Sequence, residues 1–346
     1  MEVLMSNWPY IQSVPERYVL PSERRPGEVP VAVAEDIPVI DLDKTNGPDR
    51  AETIQELLKA CEEVGLFQVI NHGIPKSLMD ETMEVFKEFF RLPADYKAQF
   101  LSNTRDKTCI LYSSSLNHEN TKEEVRYWRD CFTHHCHPLQ DHQQFWPDTP
   151  ARYREVVGKY SVEARKFLLR VCDLIGEGLG VEEGYFGGEL SKTQLLSVNH
   201  HIPCPDPSVT LGHPEHTDPN LVTTLQQCQV PGLQTLKDGK WVGVKPLANA
   251  FVVVLGVQFR VISNGKFTSP IHRVVTNAKE HRTTLGTFFI PRDDTLIEPA
   301  KALLGPSNPP IYRSYKYTDF FSGWTKQVAQ EAALQRFKLQ PSTTAQ

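Results

Sequence analysis

Apolar positions change period along this chain. From Glu52 to Val64 they fall at Ile54, Leu57, Leu58 and Cys61, and from Lys76 to Leu92 at Leu78, Met79, Met83, Phe86, Phe89 and Phe90. That three-to-four spacing predicts two helices, each burying one face, and Pro93 stops the second. Arg154 to Leu179 predicts a longer one, with Val156, Val157, Tyr160, Ala164, Phe167, Leu168, Val171, Leu174 and Ile175 on its apolar face and Gly178 and Gly180 marking its end. Between the first two, Gly65 to Gly73 reads as a short buried strand and turn, and Ile37 to Leu42 as an earlier strand. Past residue 220 the pattern shortens to β-branched runs: Leu221 to Leu225, Gly232 to Leu236, Trp241 to Val244 and Phe251 to Leu255. Pro231-Gly232, Asp238-Gly239 and Asn264-Gly265 punctuate them as turns and hairpins do. The expected fold is mainly β with flanking helices, around a double-stranded β-helix (jelly-roll) core with a ligand site at its mouth.

The rest of the chain divides around that core. Residues 1–36 carry Pro9, Pro15, Pro21, Pro26 and Pro30 and predict an extended arm that must lie across something else. Residues 37–190 form a mixed helical region, 191–295 the core, and 296–346 a C-terminal helix (about Thr325 to Lys338, a candidate lid) with a polar tail from Pro341. Asn103 to Cys136 is polar, with Ser113, Ser114, Ser115, Asn117 and Asn120, and reads as a loop. No internal repeat is present.

Candidate chemistry concentrates in residues 211–291. In an extended segment, side chains two apart share a face, so His216 and Asp218 can aim at one point, and His272 follows after room for several strands. Two imidazoles and one carboxylate are the donor set that suits non-haem Fe(II), with three positions left open. The chain has 12 histidines, so the triplet alone is weak evidence. His72, before Gly73, reads as a structural histidine. His134, His135, His137 and His142 read as loop packing, because no acid stands at matching spacing.

Several motifs together carry a resemblance over nearly the whole chain: Gly212-His213-Pro214-Glu215-His216-Thr217-Asp218-Pro219-Asn220-Leu221, Val230-Pro231-Gly232-Leu233-Gln234, Ser263-Asn264-Gly265-Lys266-Phe267, Ile271-His272-Arg273-Val274-Val275-Thr276-Asn277 and Arg282-Thr283-Thr284. The chain resembles the plant Fe(II)/2-oxoglutarate-dependent dioxygenases. The resemblance implies Fe(II) on His216, Asp218 and His272, the distal carboxylate of 2-oxoglutarate on Arg282 with the Thr284 hydroxyl beside it, and O2 as the other cosubstrate. It implies an oxidoreductase that converts 2-oxoglutarate to succinate while oxidising a C–H bond. Arg282 suits its role because a guanidinium offers a planar fork to a carboxylate. With Asp218 in place, the chloride position used by halogenating relatives is filled.

Two departures stand out. Arg282-Thr283-Thr284 replaces the family's Arg-x-Ser and keeps the hydroxyl. Asn199-His200-His201-Ile202-Pro203-Cys204-Pro205 replaces Asn-Tyr-Tyr-Pro-Pro-Cys-Pro, so Asn199 matches while His201 stands where a tyrosine would touch the cosubstrate. An imidazole can also donate a hydrogen bond, which makes His201 a candidate contact. Within the family, Gly65 to Gly73, Glu84 to Pro93 and Tyr153 to Val162 resemble the hyoscyamine 6β-hydroxylase branch. Thr121 to Asp130 and His216 to Leu221 resemble the flavone synthase and salicylate hydroxylase branch. The expected substrate is a plant specialised metabolite, an alkaloid first and a flavonoid or phenolic second; a catalytically silent ligand-binding relative is the alternative from another class. Tyr112, Phe132, Phe289, Phe320, Phe321 and Trp324 are the substrate-pocket candidates, with core packing as the other reading of each.

Composition narrows the partners. At 346 residues, 40% hydrophobic and 23% charged, the chain is ordinary for a globular protein. A net charge of −5 without a basic stripe gives no reason to expect nucleic acid. No apolar run is long enough for a membrane span, and the N-terminus lacks a signal-peptide pattern. Seven cysteines without Cys-x-x-Cys pairs argue against a disulfide framework or structural zinc. The expectation is a cytoplasmic monomer acting on a small molecule.

Overall fold

The helical periodicities become α1 (Arg50–Glu63) and α2 (Lys76–Arg91), followed by the short α3 (Ala94–Ala98) and α4 (Leu139–His142), and then the long α5 (Tyr153–Leu179). This computed structural model describes residues 4–8, 11–27, 37–102, 107–114, 125–324 and 330–340. Strands come in chain order as β1 (Val39–Asp41), β2 (Leu66–Ile70), β3 (Cys109–Ser113), β4 (Asp130–His135), β5 (Thr193–His201), β6 (Leu211–His216), β7 (Val222–Gln227), β8 (Leu233–Lys237), β9 (Lys240–Gly243), β10 (Phe251–Leu255), β11 (His272–Val275), β12 (Arg282–Ile290), β13 (Leu296–Ile297) and β14 (Tyr315–Lys316). α6 (Val257–Ile262) follows β10, and α7 (Tyr317–Trp324) and α8 (Gln330–Gln335) follow β14.

Two sheets make the jelly roll. The larger has eight strands in the order β1-β2-β10-β7-β12-β5-β4-β3, and the smaller has four in the order β6-β11-β8-β9. The larger sheet therefore takes strands from residues 37–190 as well as from the expected core. β3 and β4 correct the loop reading of Asn103 to Cys136: they pair antiparallel from Cys109–His134 to Ser113–Asp130. Residues 103–106 and 115–124, which hold Ser115, Asn117, Asn120 and Thr121 to Glu124, lie outside the described residues.

One face of the large sheet is sealed by α2 and α5. Phe132 of β4 stacks on Phe89 of α2 at 4.5 Å, and His200 of β5 stacks on Phe90 at 4.5 Å. Buried polar groups there find partners: His134 meets the Tyr153 hydroxyl at 2.9 Å, the Gln194 amide donates to Ser161 O, and the Gln226 amide to Met79 O. The other face looks toward the small sheet and encloses the site.

Residues 4–8 and 11–27 of the arm are anchored on the rest of the chain, and residues 1–3, 9–10 and 28–36 lie outside the described residues. The Met5 and Ser6 backbone N–H groups donate to the two oxygens of buried Asp130 at 3.0 and 2.7 Å. Lys97, also buried, donates to Phe90 O and the Ser6 hydroxyl. Trp8, Tyr18 and Trp128 meet edge to face, and farther on Arg273, beside His272, donates to Pro26 O. At the other end, Leu334 and Phe337 pack into the main core and Phe337 lies 4.1 Å from Tyr315. Residues 325–329 of the expected lid helix, and the tail from Pro341, lie outside the described residues. Among the described residues no helix is long and apolar enough to cross a membrane.

Candidate active site

Three elements bring the metal-type ligands together. His216 ends β6 and His272 begins β11, and the antiparallel register sets them directly opposite each other. Asp218 is not in the strand: it lies in the connection to β7, where its backbone carbonyl accepts from Val257 N at 2.8 Å. Asp218 thus joins the two histidines from the irregular connection that follows the strand. The Asp218 Oδ1 atom stands 3.5 Å from His216 Nε2 and 3.7 Å from His272 Nε2. All three ligand atoms lie within 4.8 Å of one another, and among the described residues no other group of histidine, cysteine or acidic ligands converges this way.

Their surroundings fix which atoms are free. His216 Nδ1 faces Pro214 O at 2.9 Å, and His272 Nδ1 faces Pro270 O at 3.2 Å. A carbonyl only accepts, so each Nδ1 carries the proton and each Nε2 keeps its lone pair. The Thr223 hydroxyl donates to Asp218 Oδ2 at 2.6 Å, leaving Oδ1 for a metal. Burial pushes the His272 imidazole down to about 4, helped by His216 and opposed by Asp218. Burial acts upward on Asp218, but His272, His216 and the Thr223 hydroxyl hold it down at about 2. A neutral imidazole and an ionised carboxylate are the forms that ligate. The donor set, its protonation and its second layer of hydrogen bonds all fit Fe(II). His213, which sequence reading passed over, stacks on His216 at 4.0 Å.

Arg282 begins β12 opposite His201 of β5. It is 2% exposed, and burial lowers its pKa. Its Nε donates to Val230 O and its Nη2 to Gln227 Oε1, both at 3.2 Å. A Cβ on Gly232 would stand 2.8 Å from that Nε, so only glycine lets the chain wrap the arginine this closely. Among the described residues no carboxylate pairs with Arg282. An unneutralised buried guanidinium is costly, and beside it the Thr284 hydroxyl is buried without a partner. Together they fit an incoming carboxylate.

His201 behaves differently from the tyrosine it replaces. Its Nδ1 meets Arg282 O at 3.3 Å, so Nδ1 holds the proton. Burial first, then the charges of Arg282 and Arg129, keep the ring neutral. Its Nε2 is consequently a bare acceptor, buried without a partner and lying against Gly212, where a Cβ would come within 2.7 Å. The expected donor to a carboxylate is absent.

Strand parity sorts the pocket candidates. Arg282 and Thr284 face the cavity, so Gly286 and Phe288 do too, whereas Phe289 faces the helices and lies under Arg165 at 5.0 Å. Phe132 is likewise on the helix side, against Phe89. Phe320 is fully buried among Tyr315 and Tyr317, while Phe321 and Trp324 stack on each other at the core margin. Phe132, Phe289 and Phe320 are therefore core residues rather than pocket residues. Tyr112, Phe321 and Trp324 remain; Tyr112 stands opposite Cys131, whose thiol meets the inward Ser197 hydroxyl at 3.2 Å. Phe288, half-buried, is the aromatic that was missed, and counting in twos from Arg282 would have found it.

Comparison with known proteins agrees with this geometry. Residues 37–152 match the family model described as non-haem dioxygenase in morphine synthesis N-terminal, and residues 192–291 match the 2OG-Fe(II) oxygenase superfamily. Hyoscyamine 6-dioxygenase of Hyoscyamus niger is 46% identical, the alignment covering 92% of this chain and 94% of the relative. Flavanone 3-dioxygenase 2 of Oryza sativa subsp. japonica is 40% identical over 94% of each. Among solved structures, JOX2 in complex with 2OG, Fe and JA superposes with a TM-score of 0.83 at 30% identity, covering 97% of this chain and 96% of that one. A rice dioxygenase for auxin oxidation gives 0.75 at 26%, covering 88% and 100%. Ligand geometry, fold and family models converge: the chain belongs to the plant-type 2OG-Fe(II) oxygenases.

Proposed function

We propose that this enzyme oxidises a C–H bond of a plant specialised metabolite, with iron(II) held by His216, Asp218 and His272 and the distal carboxylate of 2-oxoglutarate held by Arg282 and Thr284. The observation that carries it is the placement of two unprotonated Nε2 atoms and one free carboxylate oxygen beside a buried guanidinium that has no counterion among the described residues. When bound, iron(II) and 2-oxoglutarate supply O2 activation, with CO2 and succinate as products. The protein's part is geometric. Pro214 and Pro270 carbonyls orient the two imidazoles, and Thr223 fixes the carboxylate. All seven cysteines are free, which fits a reducing, cytosolic setting.

Similarity to hyoscyamine 6-dioxygenase supports an alkaloid substrate. A flavonoid or phenolic substrate is the second reading, supported by the flavanone 3-dioxygenase relative and by one feature of the wall. The inward positions of β5, β7 and β12 include Leu195, Leu225 and Phe288 but no carboxylate to receive an ammonium group. Succinate release from Fe(II), 2-oxoglutarate and panels of alkaloids and phenolics tests this, with mass spectrometry for a gain of one oxygen. Substrate-stimulated succinate is expected in one panel; no stimulation in either would overturn the metabolite reading.

A further inference from the structure

A second buried arginine lies on the same face of the large sheet. Arg129 is 7% exposed and lies just before β4. β4 pairs with β5 so that Asp130 meets His200 and Cys131 meets Asn199. Extending that register by one residue sets Arg129 beside His201, with Arg282 on the other side of His201 in β12. The two arginines therefore flank one histidine in a single row across the sheet. Adjacent strands lie about 4.8 Å apart, so both reach the same end of the cavity. The effect of Arg129 on its neighbours agrees, since its charge helps depress both His201 and His213.

Its hydrogen bonds are only partly spent. Nε donates to Ser114 O at 2.8 Å, and Nη1 donates to Asn199 Oδ1 at 3.0 Å. Among the described residues no carboxylate pairs with it, and Nη2 has no partner. A guanidinium can only donate, so the atom of Asn199 that faces it must be the oxygen. The Asn199 NH2 group is thereby turned away from Arg129. Asn199 stands directly opposite Thr284, whose hydroxyl is the other orphan of this region.

We propose that Arg129 is a positioning residue of the cosubstrate site: it locks the Asn199 amide with its NH2 toward the distal carboxylate and adds a second positive charge behind that carboxylate. This compensates for His201, which offers a lone pair where a hydroxyl donor is usual. The inference rests on the proposed role of Arg282. It explains why two buried guanidiniums are tolerated in one cavity, because a dianionic cosubstrate relieves both.

Anaerobic calorimetry on the Fe(II)-loaded enzyme tests it, with 2-oxoglutarate compared against 2-oxopentanoate. The second ligand has the same chelating end and no distal carboxylate. Arg129→Gln is expected to weaken 2-oxoglutarate about tenfold and to leave 2-oxopentanoate within about twofold. Equal weakening of both ligands means a purely structural role and overturns the proposal, as does no change in either. Arg282→Gln is the control: if it does not weaken 2-oxoglutarate, the cosubstrate site itself is wrongly placed, whereas weakening there without weakening in Arg129→Gln rejects Arg129 alone. Should Arg129→Gln fail to fold, Arg129→Lys keeps the charge and most of the stem. A loss of about two- to threefold confined to 2-oxoglutarate is then expected, and equal loss for the two ligands overturns the proposal.

Discussion

The two faces of the large sheet treat buried polarity in opposite ways. On the helix side, buried charge is answered: Asp130 receives two backbone N–H groups and sits near Lys97, and His134 and His200 have Tyr153 and Thr283 as partners. The atoms left without partners there are neutral, such as Thr224 Oγ1 and Gln226 Oε1. On the cavity side, two guanidiniums lack carboxylates among the described residues, and Thr284 and His201 each hold an idle polar atom. Same strands, alternate residues. The helix face spends its polar groups on folding, and the cavity face keeps them for ligands.

Substitutions on the two faces should therefore separate activity from stability. The largest effect is expected at the ligands: His216→Ala, Asp218→Ala and His272→Ala should each lower substrate-dependent succinate formation by about a thousandfold or more, since each removes one of three protein donors. Their urea midpoints should stay near wild type, and substantial residual turnover in any of them would break the assignment. On the helix face, Phe132→Ala should cost about 3–5 kcal/mol of stability by leaving a cavity against Phe89. Phe288→Ala, half-buried on the cavity face, should cost far less and change substrate choice instead. Comparable losses in the two would erase the distinction. Arg282→Lys keeps the charge but not the fork, so affinity for 2-oxoglutarate should fall about tenfold or more while that for the organic substrate barely moves. Parallel changes in the two constants would remove Arg282 from its role.

pH probes the buried histidines, two of which lie on the helix face. Burial holds His134 and His200 at about 3, below the ordinary 6.5. Their folded pKa values are depressed, so the unfolded chain binds protons that the fold refuses. The stability they allow is complete above pH 6.5 and drains away as pH falls toward 3. Between pH 6.5 and 5.5 these two alone should lose about 1–2 kcal/mol. Asp130, raised by burial, acts in the opposite sense at lower pH. Urea unfolding at several pH values checks this, and a flat profile down to pH 5 would contradict it. The smallest effect is expected at His201. Its sequence position suggests a donor whose removal in His201→Phe would cost about 1 kcal/mol of cosubstrate binding. The Nδ1-protonated ring predicts instead a change under about twofold in 2-oxoglutarate affinity, within the range of a contact that donates nothing.

Much of this was legible in the sequence, and the gaps have physical causes. The helices α1, α2 and α5 announce themselves because each buries one face only, and the strands β7 to β10 because β-branched runs alternate with turn dipeptides. The convergence of His216, Asp218 and His272 was legible from motif and order. β4 was not, because Asp-Cys-Phe-Thr-His-His is buried on both faces and its polar residues are satisfied by partners distant in sequence, the arm's Met5 and Ser6 among them. The choice of Phe289 over Phe288 failed for a different reason. Both are aromatic neighbours, and only the phase set by Arg282 tells them apart. Arg129 was hidden because its meaning depends on a strand register that composition does not reveal.

The position of β12 between β5 and β7 carries a consequence for biosynthesis. Residues 282–290 are the seam of the large sheet, yet they leave the ribosome late. Until then β4 and β5 on one side cannot join β7 and β10 on the other, and Arg282 is missing from the cavity it will occupy. Long-range pairings of this kind are slow and leave strand edges open. Protease protection of ribosome-bound chains of increasing length should accordingly appear in one step, after residue 290 has emerged, and gradual protection from shorter chains would show that the halves fold on their own.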